Sequence, residues 1–145
     1  MVVLMCIIFA FSAKTAVESD ESSLQITDVI VNTYENLFHK IIDISDKETL
    51  ILQVNHIVRK LSHGLEYGVL AVLVSFHLWA CSIKRRKLFL GAILISCIYA
   101  MTDEFHQLFV VGRSCQITDV MIDTTGAVIG ATCFVIILIL EKRKM

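Results

Sequence analysis

Three long apolar runs, two of them closed by basic clusters, restrict this chain more than any other feature. A helix rises about 1.5 Å per residue and a bilayer's hydrocarbon core is about 30 Å thick, so a crossing takes about 20 mostly apolar residues. Leu61 to Ile83 meets that length, with His63, Glu66 and His77 as its ionisable groups, and Lys84-Arg85-Arg86-Lys87 ends it. A second run starts at Leu88 and continues through a polar patch to Val111. The third, Val120 to Leu140, is closed by Glu141-Lys142-Arg143-Lys144, and a shorter run, Met1 to Ala13, opens the chain. Of 145 residues, 56% are hydrophobic and 19% charged, against about 45–50% and about 25% in a soluble domain. With a net charge of -1, this composition excludes disorder, a fibrous protein and a nucleic-acid partner. The expected fold is all-α: one polytopic membrane bundle with spans near 1–13, 61–83, 88–111 and 120–140.

Basic residues orient such a bundle. Lys84 to Lys87 supply four and Lys142 to Lys144 three, and three spans after Leu61 put both clusters on one side. The positive-inside rule makes that side cytoplasmic. Segment 14–60 and the stretch around Arg113 are then extracytoplasmic, with thirteen of the fourteen acidic residues on their side. The first run resembles the core of a signal peptide, but no basic residue precedes Lys14. It is taken as a short, retained first helix, so both termini are expected in the cytoplasm.

Segment 14–60 carries helical patterning of its own. Ser22 with Gln25 and Ser45 with Glu48 have capping-box spacing. Stripes follow each: Ile30, Val31, Tyr34, Leu37, Phe38 and Ile41, then Leu50, Val54, Ile57, Val58 and Leu61. They predict two amphipathic helices, lying along the outer leaflet or packing on the spans.

Ionisable groups at membrane depth cost about 2.5–3.5 kcal/mol each on insertion scales, so they gather in protein interiors or watery cavities. His63 and Glu66 share one face at the outer end of their helix. Asp103, His106 and Gln107 share a face at the outer end of the next, beside Glu104. Asp119 and Asp123 open the last helix, and Arg113 sits on the loop between. Plain structural roles stand beside functional ones. Asp119 suits a helix N-terminus, His63 an interface hydrogen bond, and Arg113 a headgroup anchor or a partner for Asp119 or Asp123. Gly126 and Gly130 form G-x-x-x-G, a helix-packing motif. Three chemistries remain open: acid–base work by a carboxylate and a histidine; a metal held by some of His63, Glu66, Asp103, Glu104 and His106, without a diagnostic motif; or binding of a charged ligand, with Arg113 on a phosphate or carboxylate. Neither a catalytic residue nor a cofactor is assigned. Five cysteines without C-x-x-C spacing provide no disulfide framework and no metal motif.

These residues also carry a resemblance. Lys60-Leu61-Ser62-His63-Gly64-Leu65-Glu66-Tyr67 resembles the K-x-x-H-x-x-E-Y of the VanZ-like family of bacterial membrane proteins, and Asp103-Glu104-Phe105-His106-Gln107-Leu108-Phe109 its D-E-x-x-Q-x-F. Gly112-Arg113, Asp119, Gly126-Ala127 and Gly130 follow at the family's spacing, and Ile7 to Ser12 resembles its N-terminal signature. The chain departs at Val111, where proline is usual, and at Asp123, where Asn is common. The resemblance brings Tyr67 into the candidate site. It implies a link to low-level resistance against teicoplanin-type glycopeptides, which act outside the cell on cell-wall precursors. The expected function is an outward polar pocket, formed from His63, Glu66, Tyr67, Asp103, Glu104, His106, Gln107, Arg113, Asp119 and Asp123. Its expected ligand is amphiphilic: a membrane lipid, a lipid-linked precursor or a glycopeptide. The alternative is an outer-leaflet hydrolase or transferase with a carboxylate–histidine or metal centre.

Overall fold

The computed structural model describes residues 1–38 and 44–142, except the side chains of 38, 44–46 and 142. Ile41, the Ser45–Glu48 box and the Lys142–Lys144 cluster therefore lie outside the described residues. Those residues form five helices: α1 (Val2–Ser12), α2 (Ala16–Phe38), α3 (Ile44–Ala80), α4 (Arg85–Gln107) and α5 (Ile117–Lys142). Among them α3, α4 and α5 are long and apolar enough to cross a membrane; α1 and α2, bent by 107°, count together as one broken span at most.

The bundle is built from α3, α4 and α5, and alanine, serine and glycine line much of the contact between them. Ala92 and Ala100 of α4 cluster with Ala127 and Ala131 of α5 and Leu70, Ala71 and Val74 of α3, and Ser96 of α4 is buried as well. Large apolar side chains point outward instead, among them Leu65, Leu90, Leu94, Ile98 and Ile129. Small residues inside and large hydrophobes outside are what lipid-solvated helices need, since lipid provides no hydrophobic drive and close backbone approach replaces it. The α3–α5 seam carries this furthest. A Cβ at Gly126 would run into the Gly64 carbonyl oxygen, and one at Gly130 into that of Gly68. The expected G-x-x-x-G of α5 thus has a counterpart, Gly64-x-x-x-Gly68, on α3.

The second amphipathic stretch and the first long span are one 37-residue helix, about 55 Å at 1.5 Å per residue. Hydropathy changes near Leu61, but nothing there interrupts backbone hydrogen bonding, and the chain has no proline. The first half of α3 pairs antiparallel with α2 through Arg59–Asp20 (3.0 Å), Thr27–Asn55 (3.4 Å) and Lys47–Glu35 (2.7 Å). The box that starts α2 lies earlier than expected. Thr15 donates its N–H and its hydroxyl to Glu18 Oε2, both at 2.9 Å, and Glu18 N–H returns to Thr15 Oγ1 at 3.3 Å. Ser22 sits inside the helix, donating to the Glu18 carbonyl.

Helix α4 stops at Gln107, short of the expected Val111. Tight turns from Phe105 to Val110 close it, and Gly112 follows with φ 76°, a left-handed conformation suited to glycine. At the other end of the bundle, α3 finishes in a Schellman motif. Ile83 N–H reaches the Leu78 carbonyl and Ser82 N–H that of Trp79. The left-handed position is Ser82, φ 58°, where a side chain costs roughly 1–2 kcal/mol. Ser82→Gly is expected to raise stability by up to about 1 kcal/mol, read as a higher thermal midpoint in detergent; an unchanged or lower midpoint contradicts this.

Short α1 packs on α3 and α4. Tyr99 donates its hydroxyl to the Met5 carbonyl at 2.6 Å, and Phe9 stacks on His106, centroids 4.3 Å apart. Met5 to Phe9 thus runs along α4 in the direction Tyr99 to His106.

Candidate functional site

The buried face of α4 changes character along its length. It passes Leu88, Ala92, Ser96 and Ala100, then becomes Asp103, Glu104 and Gln107. The same 3.6-residue periodicity that supplies small residues to the core supplies acids to one end of the bundle. The His63–Glu66 face of α3 extends one turn back to Arg59 and Ser62. The start of α5 and the α4–α5 loop bring Asp119 and Arg113 to that end.

Two adjoining cavities lie there. The larger, about 210 Å³, is bounded by Arg59, His63 and Glu66 of α3, Asp103 of α4, Arg113 of the loop, and Ser12 and Lys14 at the end of α1, with Ile8, Phe11 and Ile26 as an apolar wall. The smaller, about 150 Å³, shares Arg59, His63 and Arg113 and adds Gln107, Gln116 and Asp119. A larger apolar groove of about 600 Å³ runs along the α3–α5 seam, away from this polar end.

Of the ten residues expected to meet, six line these cavities: His63, Glu66, Asp103, Gln107, Arg113 and Asp119. The other four do not. Tyr67 and Asp123 are packed inside the bundle at 0% and 1% exposure, with no hydrogen-bond partner on the tyrosine hydroxyl or either carboxylate oxygen. Glu104, 2% exposed, accepts the Gln116 N–H at 2.9 Å, so it secures the residue that precedes α5. His106 turns to Phe9. No three His, Cys, Asp or Glu side chains gather as a metal-holding group among the described residues. Of the metal set drawn from the sequence, His63, Glu66 and Asp103 border one cavity without forming such a group, Glu104 accepts from Gln116, and the His106 ring lies against Phe9.

The ion pair of Asp119 is with Lys60, at 2.7 Å, and Arg113 takes neither Asp119 nor Asp123. Asp103 Oδ2 accepts from Gln107 Nε2 at 3.2 Å, while its Oδ1, buried, has no partner. Burial, followed by the like charge of Arg59, pulls the Arg113 pKa below its ordinary value, although an arginine stays protonated at any accessible pH. Arg59, Lys14 and Ser12 were not foreseen. Arg59 was legible, four residues before His63 on the same face, had the helix not been expected to start at Leu61. Nothing in the sequence marked Lys14 and Ser12 as members of this site, because the bend after α1 places them there.

An all-helical membrane protein with a polar, cavity-bearing end is the class that fold and site define. The chain matches the VanZ/LLP1 family over residues 1–139 and belongs to it. No curated protein and no solved structure matches the chain.

Proposed function

We propose that the polar end faces outside a bacterial cytoplasmic membrane and that its cavities bind the polar part of an amphiphilic envelope ligand. The ligand is a lipid-linked cell-wall precursor or a teicoplanin-type glycopeptide. The observation that carries this reading is the gathering of His63, Glu66, Asp103 and Arg113 on one cavity, at the bundle end opposite the Lys84–Lys87 turn. The positive-inside rule supports a cytoplasmic position for that turn. The parallel course of α1 and α4 then supports cytoplasmic termini in a multi-pass arrangement. Family membership supports a link to glycopeptide resistance, since both ligand types are met at the outer leaflet.

Asp103→Asn and Arg113→Ala are each expected to weaken binding of teicoplanin or a lipid-linked precursor by about tenfold, the loss of about one charge-assisted hydrogen bond. Titration of the purified, folded variants in nanodiscs measures it, and unchanged affinity in both rejects the reading. Because His63 shares the cavity with two carboxylates, a hydrolase or transferase reading keeps one specific support. Headgroup release from the precursor, lost in Glu66→Gln, would establish it over binding alone.

A further inference from the structure

Three cations and two acids line the larger cavity: Lys14, Arg59 and Arg113, with Glu66 and Asp103. Arg59 is engaged by Asp20 at 3.0 Å. Lys14 lies over the Phe11 ring, 4.8 Å from its centroid, and neither Lys14 nor Arg113 has an ion pair among the described residues. The Arg113 guanidinium is half-buried and feels Asp103 and Glu104 electrostatically without touching either, so an anion brought into contact with it offsets part of its desolvation. Ser12 Oγ, in a residue only 3% exposed, also lacks a hydrogen-bond partner, and it lines the same cavity.

These three donors come from different elements: α1, the α1–α2 turn and the α4–α5 loop. Donors that border one cavity from separate elements suit a tetrahedral oxyanion better than a planar carboxylate, and the guanidinium fork matches phosphate oxygens. The opposite wall sets a second condition. Asp103 Oδ1 is an acceptor without a donor, and Glu66 lies on the same cavity. Free phosphate would leave both acids facing a dianion. A phosphate esterified to a polyol places hydroxyls there, and Ile8, Phe11 and Ile26 adjoin as an apolar wall.

We propose that this cavity takes the phosphate of a hydroxylated lipid headgroup, with Lys14, Arg113 and Ser12 on the phosphate and Asp103 on a headgroup hydroxyl. The assignment rests on the ligand-pocket reading above and narrows it to one chemical class.

The test is a titration of the full chain in maltoside micelles with three probes: dodecyl phosphoglycerol, dodecyl glycerol ether and inorganic phosphate. Dodecyl phosphoglycerol is expected to bind tightest, with the uncharged ether and inorganic phosphate each at least about tenfold weaker. Arg113→Gln and Lys14→Gln should each weaken dodecyl phosphoglycerol by about tenfold and leave the ether unchanged. Added salt should weaken the wild-type protein's affinity for the phosphate ester and not for the ether, a measurement that holds whether or not the variants fold. Equal affinity for the two dodecyl probes, without salt dependence, overturns the phosphate assignment while the pocket reading stands. Tighter binding of inorganic phosphate overturns the lipid headgroup as its source. Binding of none of the three, together with no binding of teicoplanin or precursor, overturns the pocket reading itself.

Discussion

Gly126→Ala is expected to cost the folded protein much of its stability, whereas Gly64→Ala, directly across the same seam, is expected to leave it at least as stable as wild type. The asymmetry is geometric. A methyl at Gly126 runs into the Gly64 carbonyl oxygen, which belongs to backbone and cannot swing aside, and Gly130 meets Gly68 in the same way. A methyl at Gly64 finds only ordinary contact with Ile122, 3.5 Å to its Cγ2 and 3.7 Å to its oxygen. Gly68 is intermediate, 3.2 Å from the Gly126 oxygen. Overpacking a close-packed interior costs about 1–3 kcal/mol and sometimes more, while replacing a helical glycine by alanine returns up to about 1 kcal/mol of helix propensity. At Gly126 and Gly130 the clash dominates; at Gly64 the propensity gain does. Thermal melts in detergent should therefore rank Gly64→Ala highest, then Gly68→Ala, with Gly126→Ala and Gly130→Ala lowest. Gly91→Ala on α4 is a control, because its methyl would meet the end of the Leu78 side chain, 3.1 Å away, and that end can move. Four equal losses along the seam would mean that α3 and α5 do not approach as described.

The same seam shows how far the sequence could be followed. Spanning helices are visible because hydropathy and length are local, additive quantities. Both α4 and α5 fall within a few residues of the expected runs. The polar end of the bundle was visible because i, i+3 and i, i+4 spacing places His63 with Glu66, and Asp103 with Gln107, on single faces. Gly126 and Gly130 announce close packing, but Gly64 and Gly68 stand inside the histidine and glutamate pattern of α3, where nothing local marks them as the partners of Gly126 and Gly130. The continuous α3 was not legible. A change from amphipathic to apolar looks like a boundary, yet helical hydrogen bonding is indifferent to it. Nor could the fates of Glu104 and His106 be inferred. One depends on where the loop places Gln116, the other on where α1 lies against α4, and both are tertiary facts with no periodic trace.

Asp123→Asn is expected to stabilise the protein and to leave ligand affinity where it was. Asp123 is 1% exposed with neither carboxylate oxygen bonded, and its electrostatic neighbours Glu104, Asp103, Asp119 and Glu66 are all acidic. An ionised group in that position would forgo hydration and gain no counter-charge. Asparagine has nearly the same volume, carries no charge, and brings N–H donors into acidic surroundings. The gain should be about 1–3 kcal/mol, the scale on which an unsatisfied buried polar group is costly, measured as a shift in the denaturation midpoint at neutral pH. Because Asp123 lines neither cavity, titration of the same variant with teicoplanin or precursor should reproduce the wild-type affinity. The two readouts together separate structure from function at this residue. Stability gained with affinity kept makes Asp123 a tolerated burden of the core. Loss of affinity in a variant that is folded and more stable would instead make the carboxylate part of the site, reaching the ligand through the Asp103 wall.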